Sequence, residues 1–306
     1  MFFIVSRLSS SGAELATAKL GDVKIGEKRP VVIIGAMNLS KDSFYKGSIV
    51  RGPEDAVRRA REMVKEGAEI IDIGSMGTGP SSKPISPEKE MKKLIPAIRA
   101  MAQKIDVPIS ADTQRADVAE AAIEAGASII NDISGLKADP RMANVIAVTG
   151  CSAILMAAKN APGDVYDISE IKNALRESLK ICVKNHIPLE NVVVDPAIGH
   201  WPARLARLGS RATNQVKGRN YSLATYLDLR ILARLKELNI GRPICLCISR
   251  KSFIGEILGL KNPEDRLFGS LAASIAVLNC VSAIRTHDPL ETLQAVRVAE
   301  AIRDLV

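Results

Sequence analysis

Seven polar residues each stand at or just past the end of a short apolar run. They are Asn38 after VVIIGAM, Asp112 after VPISA, Asn131 after SII, Asp195 after NVVV, Lys251 after ICLCISR, and Arg285 and His287 after CVSAI. Two kinds of chemistry suit them. Asp112, Asn131, Asp195 and Lys251 are a donor–acceptor mix fit for the edge of a flat, nitrogen-rich heterocycle. The carboxylates take N–H groups, the amide gives and takes, and the ammonium donates to a ring carbonyl or nitrogen. Asn38, Arg285 and His287 instead suit an oxyanion such as pyrophosphate, with Mg2+ shared through Asn38. In ICLCISRKSFIG (244–255) a buried run passes straight into Ser249, Arg250, Lys251 and Ser252. Lys251 is expected to face the heterocycle, and Ser252 to begin a helix whose backbone N–H groups attract an anion. One Asp or Asn at a strand end reads equally well as a helix cap. The whole set is hard to explain that way.

These residues need elements that bring them to one place. Eight β-branched runs recur along the chain, at 31–37, 69–74, 107–113, 128–134, 152–158, 191–197, 243–249 and 280–286. Helical patterns alternate with them, at 53–66, 87–103, 115–125, 139–149, 167–185, 223–238, 264–279 and 288–305. SPEKEMKKLI starts one helix with Ser86 as N-cap and Pro87 in the first turn; DPLETLQAV repeats the device with Asp288 and Pro289. Continuous apolar strands imply a sheet covered on both faces, hence parallel. The fold class is α/β, a (β/α)8 TIM barrel, whose active site lies at the C-terminal ends of the strands. No G-x-G-x-x-G follows the first strand, which weakens an open dinucleotide-binding sheet. Residues 1–30 are expected to form an N-terminal β-hairpin closing the bottom of a barrel spanning 31–306. An insertion at about 199–222 carries Arg204, Arg207, Arg211, Lys217 and Arg219 with no acid.

Composition narrows the function. The 306 residues are 47% hydrophobic and 25% charged, so a packed core is expected. Aromatics make up 3%, too few for base-stacking platforms, and no nucleic-acid reading motif occurs. A net charge of +8 suits anionic small molecules or a polyanion and alone does not choose between them. No apolar run reaches membrane-spanning length, and the N-terminus lacks the form of a signal peptide. Five cysteines in a large chain favour a reduced, cytoplasmic setting, with Cys245 and Cys247 as packing residues.

At the strand ends the sequence resembles dihydropteroate synthase and the wider pterin-binding barrel family. IIGAMNLSKDSF resembles the family's first-loop motif, Asn-Val-Thr-Pro-Asp-Ser-Phe. IIDIGSMGTGPSSKPISPEKE resembles its second loop, and INDISGL, VVVDPAIG, SRKSFIG and RTHD resemble later strand ends. The resemblance implies a transferase that joins a hydroxymethyl-dihydropterin pyrophosphate to an arylamine, with Mg2+ assisting pyrophosphate release. By match, Asp112, Asn131, Asp195 and Lys251 would bind the pterin. Asn38, Arg285 and His287 would hold Mg2+ and pyrophosphate, and Ser252 would meet the arylamine's acidic end. Thr78 and Phe44 would sit in two loops that close over the site. Asp112, Lys251, Arg285 and His287 are the catalytic candidates, because stabilising a leaving dianion and a transient cation is electrostatic work. A homodimer is the expected assembly by family analogy.

Departures fall on the arylamine side. The second loop reads Gly77-Thr78-Gly79-Pro80 where the family has Ser-Thr-Arg-Pro, and Lys41 and Lys46 replace a Pro and an acid. His200-Trp201 and the basic insertion follow strand six in place of Gly-x-Gly-Lys. The arylamine is therefore p-aminobenzoate or a ribofuranosyl-aminobenzene phosphate, as in methanopterin pathways. In the second case Arg204, Arg207, Arg211 and Lys217 would receive the phosphate; otherwise the insertion is a solvated loop. Two alternatives stay open: a tetrahydropterin-dependent methyltransferase and a catalytically silent pterin-binding protein.

Overall fold

The structure is a computed structural model that describes residues 17–26, 29–40, 45–76, 84–199, 213–216 and 218–305. Strands and helices alternate: β1 (Ala18–Leu20), β2 (Val23–Ile25), β3 (Val32–Asn38), α1 (Pro53–Lys65), β4 (Ile70–Gly74), α2 (Pro87–Ala102), β5 (Ile109–Asp112) and α3 (Ala116–Glu124). Next come β6 (Ile129–Asp132), α4 (Met142–Thr149), β7 (Ser152–Met156), α5 (Ile168–Lys184), β8 (Val192–Asp195), β9 (Thr213–Val216), β10 (Arg219–Ser222) and α6 (Leu223–Ala233). The chain ends with β11 (Cys245–Leu246), α7 (Ser252–Leu258), α8 (Leu267–Ala276), β12 (Ala283–Thr286) and α9 (Pro289–Arg303). Eight strands pair in parallel in the order β11-β12-β3-β4-β5-β6-β7-β8. The ring closes at a bridge between Val194 and Ile244, where Val194 N–H donates to Pro243 O at 3.0 Å. This is the (β/α)8 barrel expected from the alternation.

Strand periodicity then sets what the barrel encloses. Alternate side chains point inward. Val32, Ile34, Ile70, Ile129, Ile154, Val193, Cys245 and Ala283 pack together with Ala18, Leu20 and Ile25 of the β1–β2 hairpin. Leu20 and Ile25 are fully buried there. The hairpin turn is at Gly21, whose N–H donates to Ser152 Oγ at 3.1 Å at the start of β7. Gly21 has φ +62, and a Cβ there would lie 2.9 Å from Pro108, so both conformation and space call for glycine. One inward step further along each strand come Asp72, Asp112, Asn131, Asp195, Cys247 and Arg285. The barrel is thus apolar at its N-terminal end and polar at its mouth.

Two local readings change. The strand read at 243–249 pairs regularly only over Cys245–Leu246, because the chain turns at Arg250, which has φ +55. Helix α7 follows directly and begins at Ser252 as expected, although its span lies outside the eight helical stretches. Asp288 does not cap α9 with its side chain; both carboxylate oxygens go to Arg250 instead, at 2.7 and 2.8 Å. A bidentate guanidinium bond satisfies that carboxylate better than one backbone N–H. Ser86 does cap α2, accepting from Lys89 N–H.

Candidate active site

Asp72 organises the mouth. It is fully buried on β4. Its Oδ1 accepts from Ser110 Oγ at 2.5 Å and from Asn131 Nδ2 at 3.3 Å. Its Oδ2 accepts from Arg285 Nε at 2.7 Å, with Nη2 at 2.6 Å. Arg285 crosses the lumen face of β3 to make this pair. It also donates from Nη2 to Asp112 Oδ2 at 3.2 Å and from Nη1 to Cys247 Sγ at 3.4 Å. One guanidinium therefore bonds two carboxylates and touches a thiol. Arg285 was read as a pyrophosphate ligand; in the structure most of its N–H groups already face inward. Burial pushes the Asp112 carboxyl up to about 7, the Asp72 charge adds to this, and Arg285 opposes it.

Opposite them lie Asp195 and Lys251. Asp195 Oδ1 accepts from Ala197 N–H at 2.7 Å, which fixes the carboxylate at the end of β8. Burial raises its pKa to about 6, against that hydrogen bond and the charges of Lys251 and Arg285. The Lys251 stem lies against Gly199, where a Cβ would come within 2.6 Å of Lys251 Cδ. The two adjacent cations of the strand end have separate tasks. Arg250 is turned away and clamped by Asp288 and by the carbonyls of Pro263 and Glu264, at 3.0 and 2.6 Å. Lys251 is buried; its backbone N–H donates to Ile248 O, and among the described residues its Nζ donates no hydrogen bond. Asp112 Oδ1, Asn131 Oδ1 and Asp195 Oδ2 likewise accept none among the described residues. A carboxylate pair, an amide oxygen and an ammonium thus keep free valences at one rim.

A second group lies beside the first. Asn38 ends β3; its Nδ2 donates to Met76 O at 3.2 Å and its Oδ1 accepts from Ser40 N–H at 2.7 Å. His287 Nδ1 is 3.0 Å from Ser249 Oγ, and its carbonyl accepts from Arg59 Nη2 at 3.3 Å. Burial, then Arg285, Arg250, Lys251 and Arg59, hold its imidazole well below the ordinary histidine range, so the ring is neutral at pH 7. Ser252 opens α7 directly after Lys251. Mg2+ fits this group in a limited way. Among the described residues no cluster of three or more His, Cys, Asp or Glu could hold a metal. Asn38 Oδ1 keeps a second lone pair, enough for an ion held mostly by substrate phosphates and water.

A profile of pterin-binding enzymes matches residues 34–287. The chain belongs to the pterin-binding enzyme family. Dihydropteroate synthase of Bacillus subtilis is 34% identical over 278 residues, 90% of each chain. That of Escherichia coli (strain K12) is 35% identical over 278 residues, 88% of this chain and 90% of its own. The crystal structure of dihydropteroate synthase from Clostridium difficile, in the presence of pteroic acid, aligns at a TM-score of 0.75 and 32% identity, covering 90% of this chain and 97% of that one. The Xanthomonas albilineans enzyme with 4-aminobenzoic acid aligns at 0.78 and 26%, covering 94% and 98%. This member of the pterin-binding family is an enzyme, a transferase of the dihydropteroate synthase type.

Within this pterin-binding enzyme, seven of the sequence-derived candidates gather at the mouth: Asn38, Asp112, Asn131, Asp195, Lys251, Arg285 and His287. Thr78 and Phe44 lie outside the described residues, as do Lys41, Gly79, Arg204, Arg207, Arg211 and Lys217. Sequence reading gave no role to Asp72, Ser249, Arg250 or Tyr45. Asp72 carried a usable signal: an acid inside IIDIG, in phase with the inward Ile70. The other three are set by tertiary contacts alone.

Proposed function

We propose that the enzyme condenses a hydroxymethyl-dihydropterin pyrophosphate with p-aminobenzoate and releases pyrophosphate, a step of folate biosynthesis in the cytoplasm. The observation that carries this reading is the rim of free valences on Asp112, Asn131, Asp195 and Lys251, which matches the alternating donors and acceptors of a pterin edge. Support comes from the relatives, which are dihydropteroate synthases, and from relatives solved in the presence of pteroic acid or with 4-aminobenzoic acid.

In the reaction the exocyclic C–O bond breaks and its electron pair leaves with pyrophosphate. The arylamine nitrogen then bonds that carbon and loses a proton to solvent. Asp112 and Asp195 accept pterin N–H groups, Asn131 accepts or donates, and Lys251 donates to the ring. The ionised carboxylates also favour the transient carbocation. Neutral His287, with Asn38 and the remaining Arg285 N–H, holds the leaving pyrophosphate by hydrogen bonding. Mg2+, held through Asn38, would supply charge neutralisation on that leaving group. Ser252 and the start of α7 would receive the arylamine carboxylate.

Pyrophosphate release with Mg2+ tests the proposal, with p-aminobenzoate, with a ribofuranosyl-aminobenzene phosphate, and with neither. A dihydropteroate adduct is expected with p-aminobenzoate. Adduct only with the phosphorylated amine would move the enzyme to methanopterin synthesis; no release with either would favour methyl transfer or silent binding. Lys251→Ala should weaken pterin binding by about tenfold or more without unfolding the barrel, since a lost charged hydrogen bond is worth about 1.5–3 kcal/mol. Calorimetric titration and a thermal melt check both halves. The assembly we propose is a homodimer, whose interface would be the apolar outer face of α8 and α9.

A further inference from the structure

Tyr45 follows the first loop, and its ring packs between two strand ends. The guanidinium carbon of Arg250 lies 4.4 Å from the ring centroid, within cation–π range. The imidazole of His287 meets the ring edge-on, with centroids 5.2 Å apart and planes at 70°. Arg250 is a fixed platform, because Asp288 and two carbonyls hold its guanidinium and Ser270 Oγ accepts its backbone N–H at 2.8 Å. The ring folds back over Gly47, where a Cβ would lie 2.5 Å from Tyr45 Cζ and Oη. Ser48 locks this turn, donating from Oγ to Tyr45 O at 2.7 Å. Among the described residues the Tyr45 hydroxyl makes no hydrogen bond, so the contact belongs to the ring and not to the phenol oxygen.

We propose that Tyr45 is a positioning residue for His287: braced on Arg250, its ring fixes the imidazole's plane and covers it from water, while Ser249 fixes Nδ1. The role in turnover rests on the assignment of His287 to the leaving pyrophosphate. An imidazole free to rotate would meet the leaving group in the right orientation only part of the time. The cost therefore appears in kcat, whereas the pterin edge, held by Asp112, Asn131, Asp195 and Lys251, is untouched.

Among the described residues, charged and polar groups face His287 from several elements. Arg285 and Asp288 share its strand end, Ser249, Arg250 and Lys251 come from the β11–α7 turn, Arg59 from α1, and Tyr45 from the first loop. Tyr45→Ala removes none of the four cations, so a change in His287 titration reports lost cover.

The experiment pairs NMR titration of the histidine side chains with steady-state kinetics. The chain has three histidines, and a His287→Gln spectrum assigns the one that matters. Tyr45→Ala should move the His287 midpoint up toward the ordinary range and lower kcat about tenfold, a typical cost of misorientation. KM for p-aminobenzoate and binding of 6-hydroxymethylpterin, which lacks pyrophosphate, should stay unchanged. Tyr45→Phe should match the wild type in both readouts. Gly47→Ala, which displaces the ring, should reproduce Tyr45→Ala. An unmoved His287 titration in Tyr45→Ala and Gly47→Ala overturns the proposal, whatever happens to kcat. A moved titration with unchanged kcat keeps the positioning role but removes His287 from the pyrophosphate step.

Discussion

At Asp112, stability and binding pull in opposite directions. Its carboxyl titrates at about 7 in the fold against an ordinary value of 3.8. A folded pKa above the unfolded one contributes stability that is full below about pH 4 and lost as pH rises through about 7. The pterin N–H proposed for Asp112 would need the ionised form, which the free enzyme reaches only above that midpoint. Pterin binding should therefore tighten between pH 6 and pH 8, with proton release visible in calorimetry in buffers of different ionisation enthalpy. Asp112→Asn should melt like the wild type at pH 4 and at a higher temperature at pH 8, while losing pterin affinity. A lower melting temperature at pH 8 would mean that the bond to Arg285 outweighs the burial cost. Much of this site was legible because strands count in twos. Ile70 and Asp72, Ile129 and Asn131, Val193 and Asp195, and Ala283 and Arg285 are each two apart, an apolar lumen residue followed by a polar mouth residue. Arg250 and Lys251 could not be sorted by that rule, because the positive φ at Arg250 breaks the alternation where they diverge.

The start of helix α7 at Ser252 was legible in the sequence, but its extent was not. It is seven residues long, without an acid in its first turn or a capping side chain, and it starts immediately after the strand-end turn. Periodicity over so short a span carries little signal. Its position is set sideways, by Glu256, which accepts from Ser222 N–H and Oγ and from Thr225 Oγ1, at 2.5, 2.6 and 2.5 Å. Ser222 is the N-cap of α6 and the last residue of the β9–β10 hairpin. One carboxylate thus joins the end of the insertion to the helix that follows Lys251. Glu256→Ala should cost about 1 kcal/mol, the usual worth of a supported cap. Faster hydrogen exchange in the first turn of α6, with slow exchange retained in β3–β5, would check this.

Across the whole molecule the outer surface is uneven. Phe268 on α8 is 81% exposed, and Val298 and Ile302 on α9 are 63% and 64% exposed. Helix α8 buries Ser270 and Ser274 rather than its larger apolar residues. Ser270 serves Arg250, so the inner face of this helix is committed to the strand-end clamp and its apolar face turns outward. Under the proposed homodimer these exposed apolar side chains would meet a second copy. With a second copy as the occupant, Phe268→Arg should halve the mass seen by light scattering and leave pterin affinity intact. An unchanged mass would remove this face as the dimer contact. The eight-strand plan was readable from alternation and length, whereas an assembly face is not, because apolar residues on a helix look alike whether they meet a core or a partner.

Mechanically, the barrel is a hoop with one weak joint, the contact of Val194 with the chain at Pro243 and Ile244. Asp195 lies on one side of that joint and Lys251 on the other. A heterocycle held by both is a clasp across it. Part of the ligand's binding energy then becomes rigidity of the hoop, and the Val194 amide should exchange more slowly once a pterin is bound, by a larger factor than amides in β4 or β5. The same substrate that the mouth recognises would finish the closure that the backbone leaves slight.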